Sequence, residues 1–264
     1  MTDLRRNQRF PIPLAAPFAL LFIALSGCQT RLHPNTISIG TESSSLPGIA
    51  PSALANRGKL IFDETPKYTR AYVGNRLSCS DCHIQSGTAD YSAPMIDMAG
   101  LFPMFNKRAG HVISLQNRIQ ECFSRSEAGR PLPVDSPEMR ALVAYIDWLS
   151  TDQVKGKPYK YRGFVKLAPL TGNLVAGKTT YETQCAPCHG SNGAGAPPIL
   201  PAVWGRNSFN DGAGMNDPAK MAAFLVRNMP QNHPGTLSPQ QAYDVSVYIH
   251  SKPRPKFNQA YKCY

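Results

Sequence analysis

The sequence predicts a mainly α-helical protein built from two similar domains in tandem. Three features occur twice in the same order: a Gly-Lys pair, the pattern Cys-x-x-Cys-His, and a Ser-Pro pair typical of a helix start. They lie at 58–59, 79–83 and 136–137, and again at 177–178, 185–189 and 238–239. The repeat, together with a length of 264 residues, fits two domains of roughly 100 residues each.

The repeated pattern is the attachment sequence of c-type haem. The thiols of Cys79 and Cys82 add to the haem vinyl groups, and the adjacent His83 binds the iron. The second copy supplies the same groups from Cys185, Cys188 and His189. A redox dithiol or half of a zinc site is the alternative for one isolated copy, and the second copy argues against it. We therefore expect two tandem cytochrome c domains, each around one covalently bound haem c.

Residues 1–28 predict a bacterial lipoprotein signal peptide. A segment with three arginines precedes the apolar run 14–25, which is too short to span a bilayer. The run ends in Leu-Ser-Gly-Cys, which resembles a lipoprotein box and makes Cys28 the predicted lipidation site. An ordinary cleavage site with an incidental cysteine is the alternative. We expect a periplasmic protein held to a membrane by lipid, and Gln29 at the next position favours the outer membrane.

The rest of the chain divides into four predicted segments. Residues 29–50 are rich in Ser, Pro and Gly and lack hydrophobic periodicity, which is typical of a flexible tether. Residues 151–173 contain Pro, Gly and Lys and form the predicted linker. The two cytochrome c domains occupy 51–150, which carries the active-site haem, and 174–264, which carries an electron-transfer haem.

The net charge limits the class of partner. Removal of residues 1–28 lowers the formal charge from +11 to +9, and four haem propionates lower it further. Nucleic-acid binding is a poor interpretation because there is no arginine-rich arm and no set of aromatic residues interleaved with lysines. A basic surface suits an anionic substrate or an acidic redox partner.

The predicted sixth iron ligand of the second domain is Met229. It lies 40 residues after His189 and precedes a proline at the predicted end of a helix. A methionine ligand raises the reduction potential, which suits transfer of electrons to a partner. Met215 and Met221 are the alternatives, with Met229 then filling the core.

In the first domain a cysteine takes the equivalent place. Cys122 lies 39 residues after His83, in an apolar stripe of helical spacing formed by Leu115, Ile119, Cys122 and Phe123. A thiolate ligand donates strongly to iron and lowers its potential. A buried inert cysteine and a disulfide to Cys263 remain open, and three methionines are alternative ligands: Met95, Met98 and Met104.

The first domain resembles the periplasmic dihaem thiosulfate dehydrogenases. The matching residues lie at 77–83, 93–94, 102–103, 108, 112–113, 117–119, 122–126, 131–133 and 145–149. The most specific part is the segment Arg-Ile-x-x-Cys-Phe at 118–123, and the resemblance continues through the second haem domain, over about residues 55–255 in all.

This resemblance implies a function and a set of site residues. It implies oxidation of thiosulfate to tetrathionate at a haem bound by His83 and Cys122, with a soluble cytochrome c or a similar protein accepting the electrons. It also implies that Arg108 and Arg118 contact the sulfur anion, although each could instead bind a haem propionate, and that Ser126 lines the pocket.

The resemblance also bears on the second haem. The family binds that haem through His with Met, or with a Lys that exchanges with the Met. This chain has Asn228 at the lysine position, so we expect plain ligation by His189 and Met229. Two other classes of function stay open: an electron carrier without its own chemistry, and a subunit that transfers sulfur to a carrier protein.

Overall fold

The structure is a computed structural model that describes residues 50–151 and 158–262. The predicted signal peptide, the predicted lipidation site Cys28, nearly all of the predicted tether and Cys263 lie outside the described residues. In the two described ranges, no helix is long and apolar enough to cross a membrane.

The first domain is a set of helices with one small hairpin. The helices are α1 (Ala53–Asp63), α2 (Thr65–Tyr68), α3 (Ile84–Gly87), α4 (Leu115–Arg125) and α5 (Pro137–Trp148). Short 3₁₀ turns lie at Cys79–Asp81 and Ala99–Leu101. Strands β1 (Met104–Asn106) and β2 (His111–Ile113) pair antiparallel, with Phe105 opposite Val112. The expectation of a mainly helical chain is confirmed.

The second domain repeats the helical part of this arrangement. Its helices are α6 (Leu174–Thr180), α7 (Ala186–His189), α8 (Pro218–Asn228) and α9 (Pro239–His250). A π-helical turn at Tyr181–Cys185 joins α6 to α7. Further 3₁₀ turns lie at Gly214–Asn216 and Gln259–Tyr261.

The predicted Ser-Pro helix starts are confirmed. The side chain of Ser136 accepts a hydrogen bond from N of Met139 at the start of α5. The side chain of Ser238 likewise accepts one from N of Gln241 at the start of α9. Each cap satisfies a backbone N–H that has no partner inside its helix, and the proline that follows needs none.

A glycine at the same place in each domain lets the first and last helices cross closely. A Cβ atom on Gly58 of α1 would lie 1.9 Å from the carbonyl oxygen of Ala141 on α5. A Cβ atom on Gly177 of α6 would lie 1.9 Å from the carbonyl oxygen of Asp244 on α9. The two Gly-Lys pairs of the sequence therefore mark equivalent helix crossings, which supports the internal repeat.

The two domains touch on both sides of the first haem-attachment segment and at the predicted linker. Leu77 belongs to the apolar core of the second domain, and Ile84 packs against that core. In the linker, the carbonyl oxygen of Gly163 accepts a hydrogen bond from N of Ala93. These contacts place the first attachment segment between the two cores.

Candidate functional site

The first attachment segment lines a cavity of about 250 Å³. Cys79, Cys82 and His83 lie in its wall, and Cys122 from α4 lies in the same wall. Most of the other lining side chains are apolar, among them Phe62, Leu77, Leu101, Phe102, Leu115, Ile119, Phe123, Leu142 and Ile146. The cavity therefore brings the predicted proximal histidine and the predicted thiolate to one apolar space.

The second attachment segment lines another cavity, of about 310 Å³. Cys185, Cys188 and His189 lie in its wall together with Met229. Of the two alternative methionines, Met215 lines the first cavity, and Met221 is buried in the core. The placement of Met229 beside His189 favours it over both.

Each histidine is held with one ring nitrogen directed at a backbone carbonyl. Nδ1 of His83 lies 2.6 Å from the carbonyl oxygen of Ala93, and Nδ1 of His189 lies 2.9 Å from that of Pro201. Because Nδ1 carries the proton in these bonds, Nε2 is left as the metal-binding nitrogen. Burial lowers the pKa of His83 to about 4 and also lowers that of His189, so both rings are neutral, as iron ligands must be.

The donor groups fit covalent haem c in both cavities. Each cavity offers two thiols, a neutral imidazole with a free Nε2, and sulfur from another segment, which is Met229 in the second cavity and Cys122 with four methionines in the first. Among the described residues, no group of three or more His, Cys, Asp or Glu side chains is placed to hold a metal ion, which argues against a zinc site.

Helix α4 positions Cys122. Ser114 caps the helix by accepting a hydrogen bond from N of Asn117, and buried Ile119 and Phe123 fix the helix against the core. The half-buried sulfur of Cys122 then accepts a hydrogen bond from Nη1 of Arg118 over 3.3 Å. The negative charge of a thiolate at this position raises the pKa of Arg118 above its ordinary value.

Three arginines converge on one buried carboxylate, that of Glu121, whose side chain is 1% exposed. Its oxygens lie 3.1 Å from Nε of Arg108, 3.5 Å from Nη1 of Arg118 and 3.8 Å from Nε of Arg125. Nδ2 of Asn106, in β1, also donates to it over 2.9 Å. The hairpin thus brings Arg108 to the same side of α4 as Arg118.

The cluster retains positive charge beside the cavity, since three guanidinium groups face one carboxylate. Glu127 also lines the cavity, but burial raises its pKa well above the usual range, which favours its neutral form. An excess of two positive charges next to a sulfur atom is an arrangement that binds anions.

The sequence did not predict the roles of Glu121 and Arg125. The spacing carried a signal, because Arg118 and Glu121 are three residues apart, Glu121 and Arg125 are four apart, and residues so spaced on a helix meet on one face. Ser126 lines the first cavity, as the resemblance implies.

All three alternative ligands of the first haem, Met95, Met98 and Met104, also line this cavity and remain candidates by position. Cys122 differs from them in its hydrogen bond with Arg118.

The comparisons with known proteins agree with this geometry. Residues 66–154 match the family described as SoxA/TsdA, cytochrome c domain, and residues 174–252 match the family Cytochrome c. The thiosulfate dehydrogenase of Stutzerimonas stutzeri is 37% identical over 221 residues, which are 81% of this chain and 72% of that protein. The thiosulfate dehydrogenase of Allochromatium vinosum is 33% identical over 257 residues, which are 93% of this chain and 95% of that protein.

A solved structure has the same fold. It is the "as isolated" form of the thiosulfate dehydrogenase TsdBA from Marichromatium purpuratum, with a TM-score of 0.75 and 29% identity. The match covers 80% of this chain and 49% of that one, so this chain spans about half of its length.

The fold and the two cavities define a dihaem c-type cytochrome, which carries two covalently bound haem c groups. The chain belongs to the thiosulfate dehydrogenase family. The resemblance read from the sequence is confirmed.

Proposed function

We propose that this chain oxidises two thiosulfate dianions to one tetrathionate dianion. Two S₂O₃²⁻ lose two electrons, and one new bond joins their terminal sulfur atoms to give S₄O₆²⁻. The same site working in reverse is a tetrathionate reductase. The observation that carries the proposal is that Cys122 and His83 line the same cavity and that Arg118 donates a hydrogen bond to the sulfur of Cys122.

The arginines answer the main physical obstacle to this reaction. Two dianions that must approach to bonding distance repel each other, and an apolar cavity strengthens the repulsion. Arg108 and Arg118 supply planar, permanently charged donors that suit oxyanions. Glu121 forms an ion pair with each of the two guanidinium groups, so they keep their positions when no anion is bound.

We assign the residues of the haem sites as follows. Cys79 and Cys82 attach the first haem, with His83 and Cys122 as iron ligands. Cys185 and Cys188 attach the second haem, with His189 and Met229 as iron ligands. When bound, each haem supplies a one-electron acceptor, and the thiolate ligand sets the first at a lower potential than the second. Electrons therefore flow towards the second domain.

Asn228 supports plain methionine ligation in the second domain. Its side chain is buried and donates from Nδ2 to the carbonyl oxygens of Tyr91, over 3.3 Å, and Phe224, over 3.0 Å. A lysine amine at position 228 could compete with Met229 for the iron. The Asn228 amide cannot take that role, because it is held by these two carbonyl groups.

The partners follow from the chemistry. A soluble cytochrome c or a similar small redox protein takes the electrons from the second haem, and the basic chain favours an acidic partner. Lipidation at Cys28 would hold the protein to a membrane on the periplasmic side, with the outer membrane favoured.

A pure electron carrier is the second candidate function. It is favoured by the methionines in the wall of the first cavity, because one of them could replace Cys122 as a ligand. This alternative gives the arginine cluster around Glu121 no part in binding a substrate.

The test is thiosulfate-dependent reduction of ferricyanide by the purified dihaem protein, compared with Cys122→Gly. We expect loss of activity in a variant that retains both haems. Gln116→Gly is the matched control, because it also introduces a glycine into α4, at a position that does not line the cavity. Inactive wild-type protein, in either direction, would refute the enzyme and leave the carrier.

A further inference from the structure

The C-terminal end of the catalytic helix α4 is capped by the second domain. The last carbonyl oxygens of a helix have no partners within it. The carbonyl oxygen of Ser124 accepts a hydrogen bond from Nδ2 of Asn210 over 2.8 Å, and that of Arg125 accepts one from N of Asn210 over 3.2 Å. Asn210 lies 86 residues after Ser124, in the second domain.

A second asparagine extends this contact. Nδ2 of Asn75 donates to the carbonyl oxygen of Ser126 over 2.7 Å and to that of Ser208 over 3.1 Å. One side chain therefore joins the end of α4 to the segment 208–212, which we call the clamp loop.

The clamp loop also holds two of the three clustered arginines. The carbonyl oxygen of Gly212 accepts hydrogen bonds from Nη1 of Arg108 over 3.3 Å and from Nη1 of Arg125 over 3.2 Å. A Cβ atom on Gly212 would lie 2.7 Å from the ring of Phe257 and 2.9 Å from Nη1 of Arg125. Only glycine lets the backbone come this close to the arginines.

Asn210 connects the two functions of the clamp loop. It is 2% exposed, and its Oδ1 accepts a hydrogen bond from N of Gly212 over 3.0 Å. Its side chain and backbone thus fix both the end of α4 and the carbonyl group that receives Arg108. Phe209, beside it, lines the first cavity.

We propose that Asn210 is a positioning residue for the anion site, and that the second domain therefore helps to build that site in addition to relaying electrons. The nature of the anion, thiosulfate, rests on the proposed function. The positioning itself rests on the contacts of Asn210 with α4 and with Gly212.

The test uses Asn210→Ala in the full-length dihaem protein. We expect the KM for thiosulfate to rise about tenfold, the effect of losing a buried hydrogen bond of about 1.4 kcal/mol, with kcat changed less than twofold. We also expect an altered or heterogeneous electron paramagnetic resonance spectrum of the first haem, because Cys122 lies on the loosened helix. The midpoint potential of the second haem should stay unchanged.

Asn173→Ala is the matched control. Oδ1 of Asn173 accepts hydrogen bonds from N of Val175 and N of Ala176 at the start of α6, so the bonds lost there stay within the second domain and do not involve the clamp loop. Equal effects of the two variants, or a wild-type KM and spectrum in Asn210→Ala, would overturn the proposal.

Two further results keep the test decisive. If Asn210→Ala does not accumulate with both haems, Asn210→Ser replaces it, since it also lacks a donor that reaches Ser124, and the same outcomes apply. If the wild-type protein does not oxidise thiosulfate, the proposed function fails, while the spectrum of the first haem in the variant still decides whether Asn210 positions α4.

Discussion

Nη1 of Arg118 donates a hydrogen bond over 3.3 Å to Sγ of Cys122, which lies one turn later on α4. The pair joins a permanent cation to the sulfur that we assign as an iron ligand. A hydrogen bond from a charged donor withdraws electron density from a thiolate, and nearby positive charge favours the reduced state of a haem. Both effects raise the potential of the first haem.

Removal of this contact should lower that potential. We expect Arg118→Leu to shift the midpoint potential of the first haem downward by on the order of 60 mV, which corresponds to about 1.4 kcal/mol for one electron. A spectroscopic redox titration resolves the two haems, and the second serves as the internal control. An unchanged or raised potential of the first haem would contradict the assignment of Cys122 as its ligand.

Glu121 should stabilise the fold as well as the site. Its carboxylate is almost fully buried, and Arg125 beside it is only 6% exposed. Removal of one partner from a buried ion pair leaves the other charge uncompensated, so we expect Glu121→Gln to cost about 3 kcal/mol, measured as a fall in the thermal unfolding midpoint.

The control for this variant is Glu182→Gln. Glu182 is 53% exposed and lies 3.7 Å from Lys178, a surface pair worth less than about 1 kcal/mol. A Glu121→Gln protein as stable as this control would show that the Glu121 carboxylate does not stabilise the fold.

Features that lie close together in the sequence were predictable from it. The stripe that contains Ile119 and Cys122 follows one helix face, so the sequence indicated where that thiol points. The hairpin was not predicted, because strands of three residues are too short to show an alternating pattern. The contacts of Asn210 and Gly212 with α4 could not be predicted from the sequence either, because they depend on how the two domains pack.

The glycine crossings give a prediction for each domain. Gly58→Ala and Gly177→Ala would each place a methyl group 1.9 Å from a carbonyl oxygen, so the helices must separate. We expect each variant to cost about 3 kcal/mol or more and to reduce the yield of dihaem protein. Gly214→Ala is the matched control, because a Cβ atom there meets nothing within 4 Å. Full yield and stability in Gly58→Ala would contradict the close crossing of α1 and α5.

The wall between the two haem cavities gives the last prediction. Cys79 and Cys82 line the first cavity, whereas Ser80 and Asp81 between them line the second. Oδ2 of Asp81 accepts a hydrogen bond from N of Ser78 over 2.8 Å, and an asparagine oxygen could accept the same bond. Asp81→Asn should therefore remove a charge while the loop keeps its shape.

The sign of the effect follows from the charge. Burial raises the pKa of Asp81 to about 6, so at pH 8 the carboxylate is ionised and stabilises the oxidised state of the haem in the second cavity. We expect Asp81→Asn to raise the midpoint potential of the second haem by on the order of tens of millivolts at pH 8. Asp135→Asn, at an exposed position that lines neither cavity, should shift neither haem. A second-haem potential that stays constant in Asp81→Asn would show that this carboxylate does not act on the second haem.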